Sequence, residues 1–145
     1  MPKTILADTN ILLDAAMAER PNHVHALLLF DEAVYEGLEI RAASTSYKDV
    51  YYVLSKYSNE DAARKYISAL MQITTPTSVD EACLNIAAKS NEPDFEDGII
   101  RACAERDKVD LIVSRDERAF HNSTIKRITA KEYIERFCDI EEVDL

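Results

Sequence analysis

The sequence predicts an α/β fold in which a mainly parallel sheet of four or five strands lies between two layers of helices. Short β-favouring runs such as Thr4-Ile5-Leu6-Ala7 and Leu111-Ile112-Val113 alternate with longer stretches of helical periodicity. Strands separated by helices pair in parallel, because each crossover brings the chain back in the same direction. No repeat, low-complexity tract or linker interrupts the alternation, so one domain is expected over 1–138. The acidic tail from Asp139 to Leu145 reads as a frayed end.

A strand at about 3–8 leads into a short helix at about 10–18. Pro21-Asn22 opens a second helix with Leu27, Phe30, Val34 and Leu38 at helical spacing, ending near Gly37. A strand follows at about 39–43. Ser44-Thr45-Ser46 then supply cap candidates for a helix whose apolar face is Tyr47, Val50, Tyr51, Leu54 and Tyr57. Asn59 or Ser58 caps the next helix, at roughly 60–72, with Ala63, Ile67 and Leu70 inward. A short strand near about 73–76 precedes Ser78-Val79-Asp80-Glu81, which reads as a capping box opening a helix to about 89. Pro93 marks another helix start, since its ring is tolerated only at or before the first turn. There Phe95, Ile99, Ala102 and Cys103 form the expected buried stripe, and Asp94, Asp97 and Arg101 share another side. A strand at about 110–114, a turn through Phe120, a strand near 125–128 and a helix from Thr129 to Phe137 complete the order.

With 145 residues, 47% hydrophobic and 30% charged, the chain has the size and composition of a single globular domain with a real core. No apolar run approaches the roughly 18 residues that span a bilayer. Asp8 and Asp14 break the N-terminal apolar stretch that a signal peptide would need. A soluble cytoplasmic protein without membrane association is therefore expected. Cys83, Cys103 and Cys138 are widely spaced and odd in number, which fits inert free thiols in a reducing compartment. The 17 basic and 27 acidic residues give a net charge of −10, so a nucleic-acid ligand would need countercharge at its point of contact. Divalent cations held by carboxylates would supply it, and a basic protein partner also fits this balance.

Four aspartates stand where predicted elements begin or end. Asp8 closes the first strand, Asp49 lies near the start of the helix after Ser46, Asp97 lies in the opening turn behind Pro93, and Asp116 follows the strand through Val113. Strand ends deliver side chains to the carboxyl edge of a sheet, where open α/β folds bind ligands. Taken singly, each has a bland reading. Asp8, Asp94 and Asp116 suit caps or turns, Glu96 and Asp97 suit the positive end of a helix, and Asp97 with Arg101 suits a surface pair. Those readings leave the recurrence of the acids in one order unexplained. His23 and His25, two apart on a helix, point about 200° apart and read as surface residues. Of Tyr47, Tyr51, Tyr52 and Tyr57, only Tyr52 is expected to be exposed as a base-stacking candidate.

Asp8-Thr9-Asn10, Asp94-Phe95-Glu96-Asp97 and Val113-Ser114-Arg115-Asp116, followed by Phe120, together resemble the signature of PIN-domain ribonucleases. The order of elements is similar to that family along essentially the whole chain, and the likeness is greatest to VapC-type toxins and their unclassified relatives. The resemblance implies a PIN-like three-layer α/β/α fold and a Mg²⁺- or Mn²⁺-dependent endoribonuclease. It implies Asp8, Asp49, Asp97 and Asp116 as catalytic acids, with Asp8, Asp97 and Asp116 coordinating metal directly or through water. Hard cations prefer such oxygen ligands, and in this chemistry they polarise the phosphate, activate a water and stabilise the leaving oxygen. The family usually carries a glutamate where Asp49 stands, one methylene longer. Asn10 and Ser114 are candidates for orienting the carboxylates or the water, and Asp94 is an alternative ligand or hydrogen-bonding partner. Arg115 and Arg118 are candidate phosphate contacts. The resemblance further implies an RNA substrate, a homodimer, and a toxin role. In that role a small antitoxin would dock on the N-terminal helices and send an arginine or lysine into the acidic site. Two alternatives stay open: a catalytically weak or inactive PIN-fold interaction module, and a nuclease directed at DNA.

Overall fold

The structure, a computed structural model, describes residues 1–138. The acidic tail expected to fray lies outside the described residues. Thr4–Ala7 forms β1, and its side chains alternate between two apolar cores, Ile5 and Ala7 into one and Leu6 into the other. That alternation is the signature of a strand buried on both faces. α1 (Thr9–Ala16), α2 (His23–Glu36), β2 (Glu39–Ala43), α3 (Ser44–Tyr57) and α4 (Glu60–Ile73) follow. Then come β3 (Thr75–Thr77), α5 (Glu81–Lys89), α6 (Phe95–Asp107), β4 (Leu111–Val113), β5 (Arg127–Ile128) and α7 (Ala130–Phe137). The five strands make one sheet in the order β3-β2-β1-β4-β5, and every pairing is parallel.

Ile40 and Ala42 of β2 and Val113 of β4 join Ile5 in the larger core, packed against Leu12, Leu29, Val50, Leu70 and Tyr133 of the covering helices. Leu6, Ala43 and Ile112 join Cys83, Ala87, Ile99, Ile100 and Phe120 in the smaller one, where α5 and α6 supply the helical layer. Each such fully buried Leu or Ile contributes about 1.5–3 kcal/mol. β1 pairs with β2 on one side and β4 on the other, so strand order reverses at β1. A crevice beyond the carboxyl ends of β1 and β4 is the place where such sheets take ligands. No helix among the described residues is long and apolar enough to cross a membrane.

The fold class agrees with the sequence reading, and several local details differ. α3 starts directly after β2, with Ala43 at the cap position and no side-chain cap. Ser44 Oγ instead accepts from the Val79 N–H at 3.2 Å. Asp80, not Ser78, caps α5 by accepting from the Cys83 N–H, so the four-residue box there is not formed. On α2 the buried face is Ala26, Leu29 and Phe30, whereas Leu27 and Val34 are exposed. The run Leu27-Leu28-Leu29 has no polar residue to set the helical phase. Phe95 is 50% exposed rather than part of the α6 stripe, and Tyr57 is exposed with its hydroxyl donating to Glu19. Arg101 pairs with Glu92 and Glu105, not with Asp97. The segment 117–120 is a turn without a helix.

α5 and α6 pack closely because Gly98 has no side chain. A Cβ there would come 2.8 Å from Ser90 Oγ and 2.9 Å from the Ala87 backbone. Gly98→Ala should therefore lower unfolding stability by about 1–3 kcal/mol, despite alanine's better helix propensity. Urea unfolding followed by circular dichroism checks this; an unchanged midpoint would mean that α5 shifts without cost.

Candidate functional site

Asp8 is the first residue past β1, and its N–H extends the parallel ladder by donating to the Val113 carbonyl at 3.0 Å. The sheet register thus fixes where its carboxylate points. Oδ1 accepts from the Thr9 N–H at 2.7 Å and caps α1, while Oδ2 accepts from the Ser114 hydroxyl at 2.8 Å. Ser114, itself buried, also accepts from the Asp116 N–H at 3.1 Å. One hydroxyl therefore ties the ends of β1 and β4 together. The Asp116 carboxylate accepts from the Arg118 N–H at 2.9 Å, an Asx-type turn that holds the chain as it leaves the sheet.

Asp97 comes from another direction. Asp94 caps α6 by accepting from the Asp97 N–H at 2.8 Å, which sets Asp97 in the first turn. Asp97 is only 5% exposed, and its Oδ2 is buried without a hydrogen-bond partner among the described residues. Such an oxygen is costly to leave unmatched unless a ligand or ion completes it. Burial pushes the Asp8 carboxyl up to about 6, against the Ser114 hydrogen bond and reinforced by the charges of Glu96 and Asp116. Burial likewise raises Asp97, and the charges of Asp94, Asp8 and Asp116 add to it. Asp94, Asp8 and Asp116 are therefore near enough to Asp97 to oppose its ionisation, as Glu96 and Asp116 oppose that of Asp8.

Of the other residues named from the sequence, Asp94 lies beside Asp97 and is the first of the charges that raise it. Asp49 is half-buried, 3.2 Å from Lys48 Nζ, and is not among the charges that shift Asp8 or Asp97 most. Asn10 is exposed and makes no side-chain hydrogen bond among the described residues. Asp94 acts as the α6 cap. Arg115 turns to Asp14, a carboxylate 1% exposed, with contacts of 3.1 and 3.3 Å. Arg118 is 82% exposed, its Nε 3.8 Å from Asp116 Oδ1.

One acid escaped the sequence reading. The Thr9 hydroxyl lies 2.6 Å from Glu96 Oε1 and 2.7 Å from Ser46 Oγ, joining α1, α6 and α3. Glu96 was legible only as a first-turn acid, which helix electrostatics already accounts for. Its contact with Thr9 spans 87 positions and has no local signature. Among the described residues, no three His, Cys, Asp or Glu side chains are already grouped as a cation cage.

A family model described as "PIN domain" matches residues 4–118. The chain is 25% identical over 137 residues to Ribonuclease VapC1 of Aquifex aeolicus (strain VF5), covering 92% of this chain and 94% of that protein. Among solved structures, VapC20 of Mycobacterium tuberculosis, described as a sarcin-ricin loop cleaving toxin, superposes with a TM-score of 0.64 at 14% identity. That match covers 78% of this chain and 90% of VapC20. VapBC2 of Rickettsia felis, solved bound to a DNA fragment from its promoter, gives 0.62 at 14% identity over 87% of this chain and 98% of the matched one. At these identities the structural likeness concerns the fold.

The buried acids make a pH-dependent prediction for the metal-free protein. Asp8 titrates near 3.8 when unfolded and about 6 when folded, so the folded state binds more protons between those values. Its contribution is most favourable below pH 4 and is lost as pH rises through about 6, a swing of about 3 kcal/mol. Asp97 acts in the same direction. Asp80, Glu105, Asp107, Asp110 and Glu132 are held below their ordinary values and act oppositely at lower pH, so the informative quantity is a difference between variants. In a chelator at pH 7.5, Asp97→Asn should be more stable than wild type by about 1 kcal/mol or more, and the gap should close toward pH 5. Urea unfolding at the two pH values measures it; a less stable variant at pH 7.5 contradicts the expectation.

Proposed function

This chain belongs to the PIN-domain family, and from that premise we propose that it is a divalent-metal-dependent endoribonuclease hydrolysing phosphodiester bonds of RNA. The observation that carries the proposal is the pair of buried carboxylates at the reversal of strand order, Asp8 and Asp97, with one Asp97 oxygen left unmatched. PIN-domain nucleases generally use divalent metals, and this donor set is of the right kind. All the oxygens are hard, and Mg²⁺ is commonly held by one or two carboxylates with retained waters rather than by a closed protein cage. Asp8, Asp97 and Asp116 would hold such an ion, directly or through water. A bound Mg²⁺ or Mn²⁺ supplies charge to offset the scissile phosphate and to acidify an attacking water.

The chain's own residues prepare this chemistry. Ser114 fixes the Asp8 carboxylate and, through the Asp116 N–H, the approach of the third acid. Asp116 is partly open to solvent and can orient a water. Arg118, free of the buried pairing that engages Arg115, is the better placed of the two for a substrate phosphate. Tyr47, Lys48, Tyr51 and Arg64 line a groove of about 530 Å³ between α3 and α4, which offers cations and ring faces to a single strand. Tyr52 is exposed and has Lys56 Nζ 5.6 Å from its ring centre.

By likeness to Ribonuclease VapC1 and the VapBC2 assembly, we infer a cytoplasmic toxin, a homodimer, restrained by a small antitoxin. The exposed Val24, Leu27, Val34 and Tyr35 of α2 offer the apolar strip such a partner would cover, and a partner arginine or lysine would complement Asp97. The departure from the family's glutamate at Asp49 favours one competing reading, a weakly active interaction module.

With Mn²⁺, purified protein should cleave RNA oligonucleotides and leave matched DNA largely intact, and EDTA should abolish cleavage. Asp8→Asn or Asp97→Asn should slow cleavage by at least about 100-fold without loss of folding, and Ser114→Ala by about 10–100-fold. Cleavage indifferent to the aspartate substitutions would refute the assignment, faster cleavage of DNA would change the substrate, and absence of metal-dependent cleavage would favour the interaction module.

A further inference from the structure

Two carboxylates compete for the fourth place in the acidic site, and the structure separates them. Asp49 stands one turn beyond Ser46 on α3, with a short side chain, and its carboxylate meets Lys48. Glu96 sits in the first turn of α6, immediately before Asp97, and extends to the start of α1. There its Oε1 is 2.6 Å from the hydroxyl of Thr9, the residue that follows Asp8. Thr9 has one hydroxyl proton, so when it donates to Glu96 the Ser46 hydroxyl, 2.7 Å away, donates to Thr9. Ser46 is 1% exposed and Thr9 is buried, so the chain of hydroxyls is fixed and sets one oxygen of Glu96 in place. The other oxygen makes no hydrogen bond or ion pair among the described residues.

The Asp97 Oδ2 atom is an independent sign of a ligand here, being buried and without a hydrogen-bond partner among the described residues. We propose that Glu96, in place of Asp49, supplies the fourth carboxylate of a divalent-cation site with Asp8, Asp97 and Asp116, held ready by Thr9 and Ser46. The exchange has a physical basis in reach. The methylene that Asp49 lacks relative to a glutamate is present on Glu96, which enters from the neighbouring helix. This inference rests on the metal-dependent reading above and specifies one of its ligands.

The test is Mn²⁺ binding to the metal-free protein, followed by calorimetry and by loss of the free-ion paramagnetic resonance signal, with no turnover involved. Glu96→Gln should weaken Mn²⁺ binding about tenfold or more, Thr9→Val should weaken it about threefold to tenfold by releasing Glu96, and Asp49→Asn should change it less than about twofold. Circular dichroism confirms folding, and Glu96→Asp provides a second, shorter-armed carboxylate expected to bind less tightly than wild type. Equal binding by wild type and Glu96→Gln overturns the role of Glu96 while leaving the metal-dependent reading intact. A larger loss in Asp49→Asn than in Glu96→Gln returns the fourth place to Asp49. Failure of wild-type protein to bind Mn²⁺ removes the underlying reading, and this inference with it.

Discussion

The ends of β1 and β4 are joined by a single buried hydroxyl, and the geometry of the acidic site depends on that joint. Ser114 donates to Asp8 and accepts from the backbone of Asp116, so one side chain fixes two carboxylates from segments far apart in sequence. The arrangement is possible because β1 and β4 are parallel neighbours in register, with Ala7 opposite Val113. Slippage by one residue would reverse which side chains enter each core. Ile5, Leu6, Ile112 and Val113 therefore specify the joint through apolar burial, although none of them carries chemistry.

The same burial sets like charges close together. Asp8 and Asp97 lose solvent, and the charge of Asp8 adds to the cost of ionising Asp97. In an ordinary core this would be a defect, because an unmatched buried carboxylate opposes folding. It is reasonable here only if something positive occupies the space during function, whether a cation or a partner's basic side chain. Arg41, Arg101, Arg106 and Arg115 are engaged with carboxylates of the chain itself, so much of its positive charge serves internal structure. With a net charge of −10, external countercharge becomes a condition for approaching any polyanion.

The sequence was informative where local chemistry and function coincide. Asp8 and Asp116 could be placed because apolar strands end just before them, and Asp97 because Pro93 and Asp94 mark a helix start. The parallel sheet followed from the alternation of elements. The phase of α2 could not be read, since Leu27, Leu28 and Leu29 look alike until α7 packs against that helix. The α3 cap was misread because three hydroxyl residues fit the usual pattern, while Ser44 and Ser46 are used by Val79 and Thr9 instead. Arg115 looked available for a phosphate because its partner, Asp14, is 101 residues away. Glu96 was missed for the same reason. Local patterns expose caps and strand ends, whereas hydrogen bonds between distant segments become visible only after the sheet order is known.

The separation between Ser114 and Asp8 also bears on when the protein becomes competent. Their hydrogen bond closes 106 positions of chain, so Ser114 and Asp116 are made well after Asp8. A nascent chain leaving the ribosome presents Asp8 long before β4 exists to receive it. Up to that point the Asp8 carboxylate lacks the Ser114 hydroxyl as a partner. The order of translation thus delays assembly of the pocket until β4 and the residues just after it have emerged.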